Sequence, residues 1–298
     1  MPVVQQTPGW EGLSTGRDRQ SGGAPAPVSG ASTGELPHAL RDGEELTRRL
    51  GERGPAVFLD YDGTLTPIVD RPEDAVISET MRAAVRGLAE RCPVCVVSGR
   101  DRRVVQDLMG VDDLIVAGSH GFDIWSPSEG TLQHEAGGGF EELIERVTVQ
   151  VREQADPIQG SLVEPKKASV ALHYRLVADS DRPAIAAIVD RVLAEHPGEL
   201  KVTPGKMVYE IQPKLEWDKG KAVLYLLEAL GLDRDDVVPL YLGDDITDED
   251  AFSALSGRGV GIFVGRADDP EVGDRGTAAA FVLDSIEEVE RFLDTLAR

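Results

Sequence analysis

Short β-rich runs alternate with amphipathic helical stretches along most of this 298-residue chain, which places it in the α/β class. Two further observations sharpen the picture. A stretch of different texture interrupts the alternation in the middle of the chain, and several of the β-like runs outside it end in acids or small polar residues. The expected architecture is a doubly wound, mostly parallel Rossmann-like sheet carrying an inserted α+β domain. At this length one large or two modest domains are expected.

The elements follow in order. Met1 to about Pro37 is rich in Gly, Ser, Pro and Thr, has little to bury, and is expected to be a disordered arm (1–37). "AVFLD" (56–60) is strand-like and ends at Asp60. "SETMRAAVRGLAER" reads as a helix with Ser78 as N-cap and Met81, Val85 and Leu88 on one face. "VCVVSGR" is a strand ending at Ser98, "DRRVVQDLMG" a helix closed by Gly110, and "DLIVAGSHG" a third strand running into a loop. The texture then changes: "FEELIERVTVQVREQ" is helical, "SLVEP" and "ASVALHYR" are strand-like, "RPAIAAIVDRVLAEH" is helical, and "ELKVT" and "KMVYEIQP" are strands. Helix–strand–strand repeated twice describes a small module with an antiparallel sheet. It is taken to span 130–213, between core segments 38–129 and 214–298. The alternation resumes with "WDKGKAVLYLLEALG", a helix capped by Asp218, striped by Ala222, Val223, Leu226, Leu227 and Leu230, and ended by Gly231. "DVVPLYLGDD", "GVGIFVG" and "AAFVLD" are strands, and "SIEEVERFLDTLAR" closes the chain with a capping box from Ser285 to Glu288.

Composition excludes some functions. A formal net charge of −22 argues against nucleic acid and anionic membrane as partners, since both need a basic face. It leaves anionic small substrates open, because local field and bound metal outweigh net charge in a cleft. No run of some 18 apolar residues is present, so no membrane span is expected. The N-terminal stretch lacks a basic start, an apolar core and a small-residue cleavage site, so it is not read as a secretory signal. The only cysteines, Cys92 and Cys95, have CxxC spacing, but Pro93 separates them and residues three apart on a strand face opposite ways. They are read as structural thiols of a reducing, cytoplasmic environment.

In open parallel sheets, ligands bind outside the carboxyl ends of the strands. Those ends here deliver Asp60 and Asp62, then Ser98 and Arg100, then Ser119 and His120, and finally Asp244, Asp245 and nearby Asp248. Two like charges about 4 Å apart repel by roughly 1 kcal/mol in water and roughly 4 kcal/mol near a protein surface, so converging acids call for a cation. Lys219 stands in the first turn of its helix, where it opposes the macrodipole. Carboxylates converging with one lysine point to a hard divalent cation with oxygen ligands, Mg²⁺. A calcium loop fails because glycine comes fourth (Gly63) and Arg71 stands at the twelfth place. A Walker-type phosphate loop fails because "WDKGKAV" lacks the glycine spacing and the Ser/Thr after lysine. What remains is phosphoryl transfer through a carboxylate nucleophile, with a second carboxylate handling the leaving-group proton.

The ordered set DxDGT, SGR, helix-start lysine and GDD resembles the haloacid dehalogenase superfamily, over nearly all of 56–298. That resemblance implies Asp60 as nucleophile, Asp62 as general acid/base, Ser98 as a phosphoryl holder and Lys219 as a bridge between phosphate and nucleophile. It implies Mg²⁺ held by Asp60, the Asp62 carbonyl, Asp244 and Asp245, and a mobile cap formed by the inserted module. Together with "GSHG", "VEPKKASVALHYR", "GKMVYEIQP" and "GDDITDEDAF", the chain is similar to the trehalose-6-phosphate phosphatase family. The implied substrate is trehalose 6-phosphate, bound by Arg100, His120, Lys166, Lys206, Glu210 and Asp248. The family usually has an acid where Ser119 stands, often an acid at Pro165 and a basic residue at Gln212. A monomer is expected, and the resemblance allows association with a trehalose-6-phosphate synthase. Phosphatases of sucrose phosphate or mannosylglycerate phosphate, a phosphomannomutase, and a non-catalytic sugar-phosphate-binding regulator remain as alternatives.

Overall fold

The computed structural model describes residues 31–132, 140–266 and 276–298. The first core segment carries β1 (Ala31–Ser32), α1 (Gly43–Leu50), β2 (Gly54–Leu59), α2 (Glu79–Ala89), β3 (Val94–Val97), α3 (Arg102–Met109), β4 (Ile115–Gly118), β5 (Asp123–Ser126) and β6 (Gly130–Leu132). The middle section holds α4 (Glu141–Ala155), β7 (Leu162–Pro165), β8 (Val170–His173), α5 (Arg182–Glu195), β9 (Leu200–Gly205) and β10 (Val208–Pro213). The remainder adds α6 (Lys219–Ala229), β11 (Val237–Gly243), α7 (Glu249–Leu255), β12 (Val260–Val264), β13 (Gly276–Thr277), β14 (Phe281–Leu283) and α8 (Ile286–Leu296).

The core sheet runs β14-β12-β11-β2-β3-β4-β5-β6, parallel from β14 to β4, with the antiparallel β5–β6 hairpin at one edge. Its central strands are apolar on both faces, as a sheet covered by helices on both sides requires. Val57 and Leu59 of β2 join a cluster with Met81, Val85, Phe292 and Leu293, while Ala56 and Phe58 point the other way, toward Val223, Leu226 and Phe252. The helix signals act as the residues dictate. Ser78 Oγ accepts the Met81 amide at 3.1 Å, Asp218 accepts the Lys221 amide at 2.8 Å, and Gly110 takes the left-handed conformation that closes α3.

The middle section forms a separate antiparallel sheet, β7-β8-β10-β9, under α4 and α5. Val163, Val170, Leu172 and Ile211 face the helices, meeting Val147, Val151, Ile185 and Val189. Period-two alternation turns Glu164, Ala171, Glu210 and Thr203, which lie in one row across the four strands, to the opposite face.

Three sequence expectations change. Residues 1–30 of the expected disordered arm lie outside the described residues, but 31–37 is structured. Ala31 and Ser32 pair with Thr277 and Gly276, Thr33 is buried, and Pro37 accepts the Val282 amide. The inserted module begins later than 130, because β6 extends the core sheet edge by pairing Gly130–Leu132 with β5. The capping box at α8 is half formed. Ser285 accepts the Glu288 amide, but Glu288 Oε2 accepts from the Asp284 amide at 2.8 Å and from the His38 ring at 2.7 Å.

Candidate active site

Strand order reverses direction between β2 and β11, and Asp60 and Asp244 follow directly from their carboxyl ends. This is the crevice where open α/β sheets bind ligands. The Asp60 amide extends the ladder by donating to the Leu242 carbonyl at 2.9 Å, which fixes the nucleophile candidate against β11. The first turn of α6 brings Lys219 Nζ to 2.6 Å from Asp60 Oδ1 and 2.7 Å from Asp248 Oδ1. All three side chains are buried. Asp248 is the organiser of this group. Its Oδ1 also accepts the Tyr241 hydroxyl at 2.7 Å, and its Oδ2 accepts the amides of Asp244 and Asp245 at 3.0 and 2.9 Å.

Backbone approach here is close enough to require glycine at two places. A Cβ on Gly63, whose φ is +84°, falls 2.1 Å from Asp244 Oδ2, and one on Gly243 falls 2.3 Å from the Asp248 carboxyl carbon. The glycines of DxDGT and GDD therefore let the two acidic loops touch.

Burial pushes the Asp60 carboxyl well above the usual carboxylate range; Lys219 opposes this, and Asp248 and Asp244 add to it. Burial likewise pushes Asp244 up to about 7, against the pull of Lys206. Burial works against the charge of Lys219, but Asp248 and Asp60 hold its pKa well above that of a free lysine. Asp60, Asp244 and Asp248 bring carboxylate oxygens within 4.8 Å of one another, and Asp244 Oδ1 is buried with no hydrogen-bond donor. A crowded, oxygen-only donor set with one orphaned oxygen fits a hard divalent cation.

Beside this group, Arg100 grips Asp62 through two bonds, Nε to Oδ2 at 2.6 Å and Nη2 to Oδ1 at 2.7 Å, and donates Nη1 to the Pro72 carbonyl at 2.7 Å. Ser98 lies buried behind it, its hydroxyl accepting the Arg100 amide at 3.1 Å. The "GSHG" loop holds both Ser119 and His120 at positive φ, 51° and 57°. That strain sits where function often does. It is held by amide bonds to the Arg100 and Ser98 carbonyls and by the Trp217 indole, which donates to the His120 carbonyl at 3.1 Å. Burial lowers the His120 pKa to about 4 even with Glu210 nearby, so its ring is neutral at physiological pH. Its buried Nε2 has no hydrogen-bond partner and lies 3.9 Å from Glu210 Oε1.

The antiparallel sheet closes the cavity from above. Lys166 Nζ bonds Glu210 Oε2 at 2.8 Å and Ser169 Oγ donates to Glu210 Oε1, while Glu164 meets His173 Nε2 at 2.8 Å. Burial resists ionisation of Glu210, but the Lys166 charge and the hydrogen bonds from Lys166 and Ser169 bring its pKa below the usual value. From the β9–β10 hairpin, Lys206 Nζ reaches down to Asp244 Oδ2 at 2.6 Å. Arg100, His120, Lys166, Lys206, Glu210, Asp60, Asp62, Lys219, Asp244 and Asp245 thus border one cavity.

Two residues fall elsewhere than the sequence implies. Asp248, expected against substrate, is fully buried behind Lys219 with both oxygens engaged by four donors, and offers substrate no face. Asp245, expected as a metal ligand, borders the cavity and accepts the Ile246 amide at 2.7 Å as an N-cap, while the acids whose oxygens come within 4.8 Å of one another are Asp60, Asp244 and Asp248. Sequence reasoning missed Glu164 and Thr203 as cavity residues. The signal was available: both fall in period-two register with Glu210 on the same sheet face.

The Trehalose-phosphatase family profile matches residues 58–287. A trehalose-phosphate phosphatase of Mycobacterium tuberculosis is 42% identical over 265 residues, covering 89% of this chain and 66% of that protein. Another M. tuberculosis protein, named as an uncharacterized glycosyl hydrolase, is 42% identical over 270 residues, which span 90% of this chain but 20% of its own length. This chain therefore corresponds to only part of these relatives. The trehalose-6-phosphate phosphatase C-terminal domain of Candida albicans superposes with a TM-score of 0.73 at 24% identity, covering 88% of this chain and 98% of that one, and shows the shared fold. With a family profile running from inside β2 into α8, across both sheets and every acid of the site, the chain belongs to the trehalose-phosphatase family.

Proposed function

We propose that this chain is a Mg²⁺-dependent phosphatase that hydrolyses trehalose 6-phosphate through an aspartyl-phosphate intermediate. The observation carrying this reading is one cavity that joins the Asp60–Lys219–Asp248 group on its floor to the Lys166–Glu210 pair on its roof. The floor suits a phosphoryl group and the roof suits sugar hydroxyls. Asp60 attacks phosphorus, and the bond from phosphorus to the sugar oxygen breaks. Asp62, released from Arg100 and protonated from solvent, gives that oxygen its proton and then, as a carboxylate, takes one from the water that hydrolyses the aspartyl phosphate. Lys219 orients Asp60 and favours its ionised form against burial, and Arg100 is left free to meet the phosphate. Asp60 and Asp244, with Asp248 behind them, would hold Mg²⁺, whose charge offsets that of the phosphoryl oxygens. Lys206, Lys166, Glu210 and His120 orient the disaccharide, and the α+β module acts as a cap that excludes water while closed.

Phosphate release from trehalose 6-phosphate, sucrose 6-phosphate, glucose 6-phosphate and mannose 6-phosphate, each with Mg²⁺ and with chelator, tests this. Metal-dependent release from trehalose 6-phosphate alone is expected. Preference for another sugar would keep the chemistry and overturn the reading of the cap; no release from any would overturn the chemistry.

A further inference from the structure

The SGRD stretch contains an acid that the reaction above does not use. Asp101 occupies the N-cap position of α3, where an aspartate ordinarily accepts an amide of the first turn, yet its side chain caps nothing there. It turns outward instead. Its Oδ1 accepts from Ser119 Oγ at 2.6 Å, and its two oxygens accept the Lys167 backbone amide at 2.9 and 3.2 Å. Ser119 belongs to the core and Lys167 to the turn between β7 and β8, so one carboxylate ties the two units together. The Lys167 side chain adds a second tie, its Nζ 3.4 Å from Asp123 Oδ1 on core strand β5, next to the edge strand β6.

The turn that Asp101 captures is the one that builds the sugar-facing roof. It closes through the Lys166 amide to the Ser169 carbonyl at 2.9 Å, and the side chains of Lys166 and Ser169, on either side of the captured amide, both hold Glu210. On the core side, Asp101 follows directly on Arg100, the residue gripping Asp62. We propose that Asp101, propped by Ser119, is the closure latch of the cap. By binding the Lys167 amide it fixes the Lys166–Ser169 turn, and through it Glu210, over the phosphate site. It is a positioning residue that favours substrates long enough to reach the roof over small phosphate esters. The proposal rests on the sugar-phosphate phosphatase reading of the same site. Ser119 suits the task because its hydroxyl donates to Asp101, whereas an acid there would repel it.

Asp101→Ala and Asp101→Asn are compared with the unaltered chain on trehalose 6-phosphate and p-nitrophenyl phosphate, alongside amide hydrogen exchange of residues 166–169. Loss of a hydrogen bond to a charged group predicts a fall of roughly tenfold or more in kcat/KM for the sugar phosphate in Asp101→Ala, with the small ester within about twofold. Asp101→Asn keeps an acceptor oxygen and is expected to recover most of the sugar-phosphate activity. Exchange in the turn is expected to quicken in Asp101→Ala. Equal losses on both substrates, no loss on the sugar phosphate, or unchanged exchange would overturn the latch. If the unaltered chain turned over no sugar phosphate, the functional reading would fail, and the exchange comparison would decide the latch by itself.

Discussion

Replacing Lys219 with methionine keeps the side-chain length and removes one buried charge. In the native site that ammonium lies 2.6 Å from Asp60 and 2.7 Å from Asp248. At an effective dielectric of about 20, each contact is worth roughly 6 kcal/mol of Coulomb energy before the desolvation of the ions is subtracted. Removing one partner of a buried ion pair costs about 3–5 kcal/mol net, because the other charge stays buried and uncompensated. At roughly 2 °C per kcal/mol for a chain this large, the melting temperature in chelator is expected to fall by roughly 6–10 °C. The loss should also depend on pH. Without Lys219 the carboxyl of Asp60, already raised by burial, has its folded pKa raised further above its unfolded one, so the native state binds more protons and its stability falls as pH rises. The melting deficit is therefore larger at pH 8 than at pH 5, and added Mg²⁺ restores more of it than it adds to the unaltered chain. Thermal melts at both pH values, with chelator and with Mg²⁺, measure this. A variant melting within about 2 °C of the parent at pH 8 in chelator would show that Lys219 does not offset the buried acids.

The remaining expectations concern the same cavity. Asp60→Asn removes the nucleophile while Lys219 keeps Asp248 as a partner, so turnover should vanish and substrate binding should remain measurable by calorimetry; residual turnover near the parent's would remove Asp60 from that role. Glu210→Ala should harm trehalose 6-phosphate hydrolysis far more than that of a small generic ester, and equal losses would mean that Glu210 does not read the sugar. In chelator, the Asp244 contribution to stability should fall as pH rises from about 4 to about 7, because burial raises Asp244 to about 7 and the native state keeps that proton after the unfolded chain has lost it. The shift corresponds to up to about 4 kcal/mol. Mg²⁺ should flatten the profile; a melting temperature independent of pH in chelator would contradict the crowding of Asp244.

The fold was legible because its signals are local and repeated. Buried parallel strands read as apolar runs, Ser78 and Asp218 cap the helices they precede, and Gly110 closes α3. The site was legible where it sits at strand ends: Asp60, Asp62, Arg100, His120 and Asp244 come to one crevice. What failed depends on direction rather than position. Asp245 and Asp248 lie three residues apart, and the sequence alone does not say which turns inward; the structure turns Asp248 in because four donors, including the Tyr241 hydroxyl, converge on it. Composition misled at Ala31–Pro37, where polar and small residues gain order by pairing with a strand more than two hundred residues away. The edge strand β6 was assigned to the inserted module because a three-residue strand carries too little pattern to declare its sheet.

The charge pattern bears on how so acidic a chain would accept the phosphate dianion of the proposed substrate. Within the cavity, four cations are each already joined to a carboxylate: Lys219 to Asp60, Arg100 to Asp62, Lys206 to Asp244 and Lys166 to Glu210. Such pairs hold side chains in register without leaving a net positive charge, so the pocket as it stands offers a phosphate no excess attraction. Apart from Arg175, which also borders the cavity and donates to the Lys206 carbonyl at 2.9 Å, the lining cations would meet a phosphate by exchange of partners. Asp60 and Asp244, with Asp248 behind them, would hold a divalent cation whose charge would offset the acid that Lys206 now neutralises, leaving the Lys206 ammonium able to turn to a ligand. A phosphoryl group reaching Arg100 would do the same for Asp62, freeing the carboxylate proposed to handle the leaving-group proton. Each exchange replaces one buried pair with another, so little charge is left bare at any stage, which is the condition for moving ions in a dry site. The ion pairs would thus be a resting arrangement whose partners are the groups that metal and substrate bring, and the chain's net charge of −22 has little say in it.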